Sequence, residues 1–182
     1  MSTTGLLLAA GGGRRLGRPK ALVAGWLAGA VDALSPCDRV VVVLGAAAEE
    51  ARRLLDDRDV TVVVNPDWAE GMGSSLHTGL AHVAHGDATR CLLHLVDLPD
   101  VGRRVVERVL DRPDEPGVLA RATYDGRPGH PVLLGRDHWT GVLTTVTGDE
   151  GARAYLRAHE VTEVECGDLA TGRDVDSLSP RA

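Results

Sequence analysis

The chain has 182 residues, 43% of them hydrophobic and 25% charged, with a net charge of −6. That length and balance suit one ordinary globular domain, and the surplus of acid excludes the broad basic face that nucleic-acid binding requires. With neither an apolar run of about 18 residues nor a signal-peptide pattern, the expected setting is the cytoplasm, away from membranes.

The first element expected is a strand over residues 6–10, a short apolar run broken by Gly11, Gly12 and Gly13. Residues 26–34 carry helical spacing, with Trp26, Leu27, Ala30, Val31 and Leu34 on one face and Pro36 beyond the end. Residues 40–44 are a run of Val and Leu closed by Gly45, the mark of a strand covered on both faces. A helix over 46–55 leads to a strand over 60–64, and a helix over 75–84 leads to a strand over 91–96. Pro99 opens a helix to residue 110, and residues 118–124 and 132–134 read as an antiparallel pair flanking a loop at 127–131. Gly148, Asp149 and Glu150 start a helix to residue 159, with acid in the first turn where the helix dipole favours it. A strand over 161–165 and a tail from residue 172 complete the chain.

Strands alternating with helices in this way predict an α/β fold: a three-layer, Rossmann-like, mostly parallel sheet in a single domain over residues 1–182. Phe is absent and aromatics are 3%, so the core is expected to be Leu, Val and Ala. Cys37, Cys91 and Cys166 are widely spaced and two lie in apolar runs, which fits buried thiols in a reducing compartment.

In parallel sheets ligands gather at the carboxyl ends of strands. Four chemically loaded stretches follow apolar runs here: residues 11–20, 65–75, 97–99 and 127–131. In the first, three glycines let the backbone wrap closely around a ligand and turn successive N–H groups toward one anion. Arg14, Arg15, Arg18 and Lys20 then supply charge at the rim. Lys20 is the only lysine among 20 Lys and Arg residues, so a lysine at this point is not generic surface charge. The dinucleotide pattern G-x-G-x-x-G fails at Leu16, and the P-loop pattern fails at Arg18 and Pro19. The stretch resembles instead the L-A-A-G-x-S-x-R-M-G-x-P-K signature of the nucleotidyltransferases that activate sugars, terpenoid precursors and molybdenum cofactor. Leu8, Ala9, Ala10, Gly11, Arg15, Gly17, Pro19 and Lys20 match it, with Gly13 in the place of Ser and Leu16 in the place of Met.

Asp97 follows the apolar residues 92–96 and precedes Leu98 and Pro99. A carboxylate at the end of a buried strand suits Mg²⁺ bridging phosphates, and Asp before Leu-Pro equally suits a helix N-cap. The resemblance implies the metal, because the family's magnesium aspartate sits in a matching apolar-Asp-x-Pro stretch. Residues 65–76 follow N-x-x-W-x-x-G-M-x-S-S-L, which is similar to the molybdenum cofactor cytidylyltransferase branch. Pro128, Gly129, His130 and Pro131 resemble that branch's P-G-H-P segment, and residues 148–153 resemble its G-D-x-G-A-R segment. Asp174, Val175, Asp176 and Ser177 resemble a D-I-D-T ending, so the likeness runs from residue 6 to about 177. The connection after Lys20 is shorter than the family usually has. His77, His82 and His85 read as a solvated or half-buried helix face, because zinc prefers four-residue helical spacing. His130 could donate to a phosphate or a pterin, or make a structural hydrogen bond.

The resemblance implies a fold of the nucleotide-diphospho-sugar transferase type and a MobA-like, Mg²⁺-dependent nucleotidyltransferase. It would pass CMP from CTP to a phosphorylated acceptor, molybdopterin, and release pyrophosphate. Leu8, Ala9, Ala10, Gly11, Gly12, Gly13 and Asn65 would meet the nucleotide, and Arg15 and Lys20 would hold its β- and γ-phosphates. Asp97, with Asp176, would hold the metal. Gly71, Met72, Gly73, Ser74, Ser75, Gly129, His130 and Pro131 would face the acceptor. A molybdoenzyme or its chaperone is the implied receiver of the product. Three other readings share the architecture: a transferase using GTP or another phosphorylated acceptor, a nicotinamide-dependent oxidoreductase acting on pigments, and a non-catalytic cofactor-binding protein.

Overall fold

The computed structural model describes residues 2–175. Its strands are β1 (Thr3–Ala9), β2 (Arg39–Leu44), β3 (Thr61–Val64), β4 (Arg90–Leu95), β5 (Leu119–Tyr124), β6 (Arg127–Gly135) and β7 (Thr162–Glu165). They form one seven-stranded sheet in the order β3-β2-β1-β4-β6-β5-β7. Only β6 runs against its neighbours; every other pairing is parallel. Six helices cover it: α1 (Trp26–Ala33), α2 (Ala48–Arg53), α3 (Met72–Ala84), α4 (Arg103–Leu110), α5 (Arg136–Thr145) and α6 (Arg153–Arg157).

Side-chain alternation along the strands makes the three layers. Leu7 and Ala9 of β1, with Val40 and Val42 of β2, pack against Leu27 and Val31 of α1 and Val105 and Val109 of α4. Leu6 and Leu8, with Val41 and Val43, face the other way, onto Leu76 and Leu80 of α3, Trp139 of α5 and Tyr155 of α6. The expected Leu, Val and Ala core is thus present. Cys91 and Cys166 are buried in it as free thiols, and Cys37 is half-buried. Among the described residues no helix is long and apolar enough to cross a membrane.

Four local expectations need correction. Residues 127–131 are not a loop but the first part of β6: Arg127 and Pro128 pair with Tyr124 and Thr123 of β5 past an irregularity in the ladder, while β4 pairs with β6 only from Val132 onward. α5 was not expected, because its sequence, RDHWTGVLTT, has few apolar positions; it buries only Trp139 and Val142. It is held instead by polar links: the Trp139 indole donates to Leu134 O at 3.0 Å, and Arg136 donates to the carbonyls of Ala84, Gly86 and Ala88 at the end of α3. The helix expected from residue 148 is a turn first, with Gly148 and Gly151 at positive φ, and helical only from Arg153. α4 starts at Arg103 with Gly102 as its N-cap, so Asp97 does not cap it.

Candidate active site

β1 and β4 lie side by side in register, Leu8 beside Leu95, so the chain leaving each strand emerges at the same sheet edge. From β1 come the glycines and Lys20; from β4 comes Asp97. The Lys20 Nζ sits 2.5 Å from Asp97 Oδ2, with the two side chains 20% and 14% exposed. The loop between them is folded back on itself by Leu16 N donating to Gly13 O at 2.9 Å. Gly13 has φ +59°, and a Cβ there would stand 1.9 Å from the Arg18 carbonyl oxygen, so the turn admits glycine alone. A Cβ on Gly11 would meet nothing within 4 Å, so that side of the residue faces open space.

A cavity of about 360 Å³ lies over this loop, lined by Leu8, Ala10, Gly11, Gly12, Arg14, Lys20 and Asp97 on one side. Trp68, Glu70, Gly71, Met72, Ser75 and Asp149 close the other. Trp68 packs onto the glycine loop so tightly that a Cβ on Gly12 would come within 2.9 Å of its ring. Gly71 and Gly73 serve a second close approach. The Gly73 N–H donates to Gly148 O at 2.7 Å, and a Cβ on Gly71 would lie 2.4 Å from the Asp149 carboxylate. The 148–149 turn is thereby drawn onto the start of α3, and this brings Asp149 into the site.

A larger cavity, about 880 Å³, adjoins the first and shares Lys20, Met72, Leu95, Asp97 and Asp149 with it. Arg15, Gly129 and His130 line it. His130 arrives from the opposite direction to the other site residues: because β6 is antiparallel to β4, its beginning lies where β4 ends. Burial pushes the His130 imidazole down to about 4, the Arg153 guanidinium adds to this, and the Asp97 carboxylate opposes it. The ring is neutral at pH 7, and its backbone oxygen accepts the Tyr124 hydroxyl at 2.6 Å.

The remaining sequence candidates are placed as follows. Ala9 is buried beneath the loop, and Pro131 is buried within β6; neither lines either cavity. Asn65 is 1% exposed, and its side chain serves the chain itself: Nδ2 donates to Ser74 Oγ at 2.9 Å and Ser75 Oγ at 3.1 Å, while Oδ1 accepts Asp67 N at 3.0 Å. Asn65, Gly73 and Ser74 border a separate hollow of about 420 Å³. Asp176 lies outside the described residues. The chain just before it is tied to the site, since Val175 N donates to Asp97 O at 3.0 Å and Asp174 lines the larger cavity. Arg14, read in the sequence as rim charge, lines the smaller cavity; Trp68 and Asp149 were not singled out as site residues, although each belongs to a recognised motif.

The family model described as the MobA-like NTP transferase domain matches residues 5–164. The chain belongs to that family. It is 38% identical to nicotine blue oxidoreductase of Paenarthrobacter nicotinovorans, over 96% of this chain and 92% of that protein. It is 25% identical to molybdenum cofactor cytidylyltransferase of Escherichia coli K12, over 72% of this chain and 69% of that protein. The structure of Rv0371c from Mycobacterium tuberculosis H37Rv superposes with a TM-score of 0.80 at 28% identity, covering 97% of this chain and 94% of that one. A manganese complex of Rv0371c aligns at the same identity with a TM-score of 0.76, over 96% and 94%. The motif resemblance therefore stands as a MobA-like nucleotidyltransferase, and so does the single-domain, mostly parallel α/β sheet.

Proposed function

We propose that the protein transfers CMP from CTP to the phosphate of a molybdopterin-type acceptor, with Mg²⁺, in the cytoplasm. The observation that carries this is the meeting of Lys20 and Asp97 at the junction of two cavities, one floored by a glycine loop and one large enough for an acceptor. An oxygen of the acceptor's phosphate attacks the α-phosphorus, the bond to the β-phosphate oxygen breaks in line, and pyrophosphate leaves. The N–H groups of Gly11, Gly12 and Gly13 receive the triphosphate, and Arg15 and Lys20 take up the charge that grows on the leaving pyrophosphate. Met72, Gly129 and His130 in the larger cavity hold the acceptor in line, with Gly71 and Ser75 bordering the adjoining glycine-loop cavity. A phosphate nucleophile is already ionised at pH 7, so no general base is required.

Asp97 suits a hard divalent ion. Among the described residues no three or more His, Cys, Asp and Glu side chains gather as a metal cage. One carboxylate that leaves the other positions to phosphate oxygens and water is the arrangement Mg²⁺ favours. Asp97, with Asp176 as a second ligand, would hold the ion, which would supply neutralisation of phosphate charge; the manganese complex of Rv0371c supports a divalent metal. A molybdoenzyme or its chaperone then receives the product.

One observation favours a second reading: the 38% identity to a protein named an oxidoreductase. The glycine loop would then hold the pyrophosphate of a nicotinamide dinucleotide. The two readings part on one assay, pyrophosphate release from CTP, GTP and ATP with Mg²⁺ and molybdopterin, beside thermal shift by NADPH. Release with CTP, lowered about 10²-fold or more in Lys20→Ala while the variant still melts cooperatively, is the expected result. Stabilisation by NADPH with no release from any nucleotide selects the redox reading.

A further inference from the structure

The larger cavity holds three arginines that the transfer step leaves unused. Arg121 reaches it from β5, and Arg153 and Arg157 from one face of α6, four residues apart. Arg121 is steadied by Glu163 of β7 at 2.7 Å, yet its Nε is buried with no partner, a donor that folding has desolvated without return. Neither the Arg153 nor the Arg157 guanidinium makes a hydrogen bond or ion pair with a described side chain, although Glu150 and Asp174 border the same cavity. Two like charges a turn apart repel, and with no acid between them nothing in the helix offsets that repulsion. Arg153 is near enough to the interior to bear on His130. Apolar side chains also line this cavity: Leu76, Leu93, Leu98, Val132 and Leu156. A cavity of about 880 Å³ with that lining is sized for a ring-bearing molecule rather than a bare phosphate.

We propose that Arg121, Arg153 and Arg157 form a second anion subsite in the larger cavity, which takes an acidic oxygen group (phosphate or carboxylate). Arginine suits this task because its planar fork can bind an oxyanion through two parallel hydrogen bonds. The anion subsite does not depend on the transfer reading.

The test uses inorganic phosphate and malonate as separate probes, titrated by calorimetry into nucleotide-free Lys20→Ala protein, in which the glycine-loop cation is gone. Addition of Arg153→Ala and Arg157→Ala should weaken binding of at least one probe by about tenfold or more, and Arg153→Lys with Arg157→Lys should fall between, since charge is kept and the fork is lost. Whichever probe binds more tightly names the oxyanion. The two arginines are exposed, so the melting temperature should hold in all variants. Absence of binding by either probe, or equal affinity in the alanine variant, overturns the subsite. CTP turnover of the wild-type protein is read separately: arginine-dependent anion binding without pyrophosphate release retains the subsite and rejects the transfer reading.

Discussion

Gly11 and Gly13 share one loop but answer to different constraints. Gly13 is required by the fold: φ is +59° and the Arg18 carbonyl fills the place of a Cβ. Gly11 is not so constrained; no atom lies within 4 Å of its Cβ position. Gly13→Ala should therefore lower the melting temperature and nucleotide affinity together. Gly11→Ala should leave stability within about 0.5 kcal/mol of wild type, yet weaken CTP binding about tenfold or more if a phosphate lies against that backbone. Melting curves with CTP titrations on both variants decide this, and unchanged CTP affinity in Gly11→Ala removes the glycine from the nucleotide contact. At this scale the sequence was most informative where chemistry lies within a short motif, as with Lys20 in one and Asp97 in another, which the fold brings to 2.5 Å. It was least informative where a residue serves the chain itself. Asn65 reads as a ligand contact, but its amide holds the start of α3 to the loop before it. Asp149 reads as the first turn of a helix, and only the contact between the 148–149 turn and Gly71 brings it into the site.

The elements reported by hydrophobic period are those with a buried face: β1, β2, β4, α1 and α3 appeared near their expected positions. α5 and the first half of β6 did not, because hydrogen bonds and sheet pairing hold them rather than an apolar stripe. The hairpin that carries His130 depends on such a polar link. Glu165 of β7 accepts the N–H groups of Gly167, Gly126 and Asp125 and the Thr123 hydroxyl, at 2.8, 3.1, 3.0 and 2.9 Å, and so ties the β5–β6 turn to the strand beside it. These donors, the Gly167 and Gly126 N–H groups foremost, hold its carboxyl down at about 2 against an ordinary 4.5. A depressed carboxylate stabilises the fold above the unfolded value and loses that stabilisation as pH falls from about 4.5 through about 2. Glu165→Gln should lower the melting temperature at pH 7 and flatten the decline in that acid window. If wild type and variant decline in parallel below pH 4.5, the turn does not rely on the charge.

At the scale of the whole molecule, the sheet encloses a histidine that its two apolar layers cannot satisfy. His94 lies in β4 beside Leu7 of β1, 0% exposed, with neither ring nitrogen hydrogen-bonded. The run Leu92, Leu93, His94, Leu95, Val96 predicted the strand correctly and gave no hint of the orphaned imidazole, since burial of a single side chain is a tertiary fact. Loss of water pushes the ring down to about 3, and His130 nearby adds a smaller push. The unfolded chain binds that proton near 6.5, so the folded state holds fewer protons throughout the interval between. Stability is full above about 6.5 and falls as pH drops toward 3, by up to about 1.4 kcal/mol per pH unit for this one group. His94→Leu keeps the approximate volume and removes both the titration and the unpaired donor. At pH 7 the variant should match or exceed wild type by about 1 kcal/mol, since an unsatisfied buried polar atom is replaced by an apolar one. Between pH 6.5 and 4.5 its stability should fall less steeply, the residual slope belonging to groups such as His130 that still titrate. Urea midpoints at pH 7 and 4.5 separate this window from the lower one governed by Glu165. A variant that loses as much stability as wild type between those two values would show that the proton enters the unfolded chain elsewhere, and that the β4 imidazole has a partner at low pH which the neutral fold does not provide.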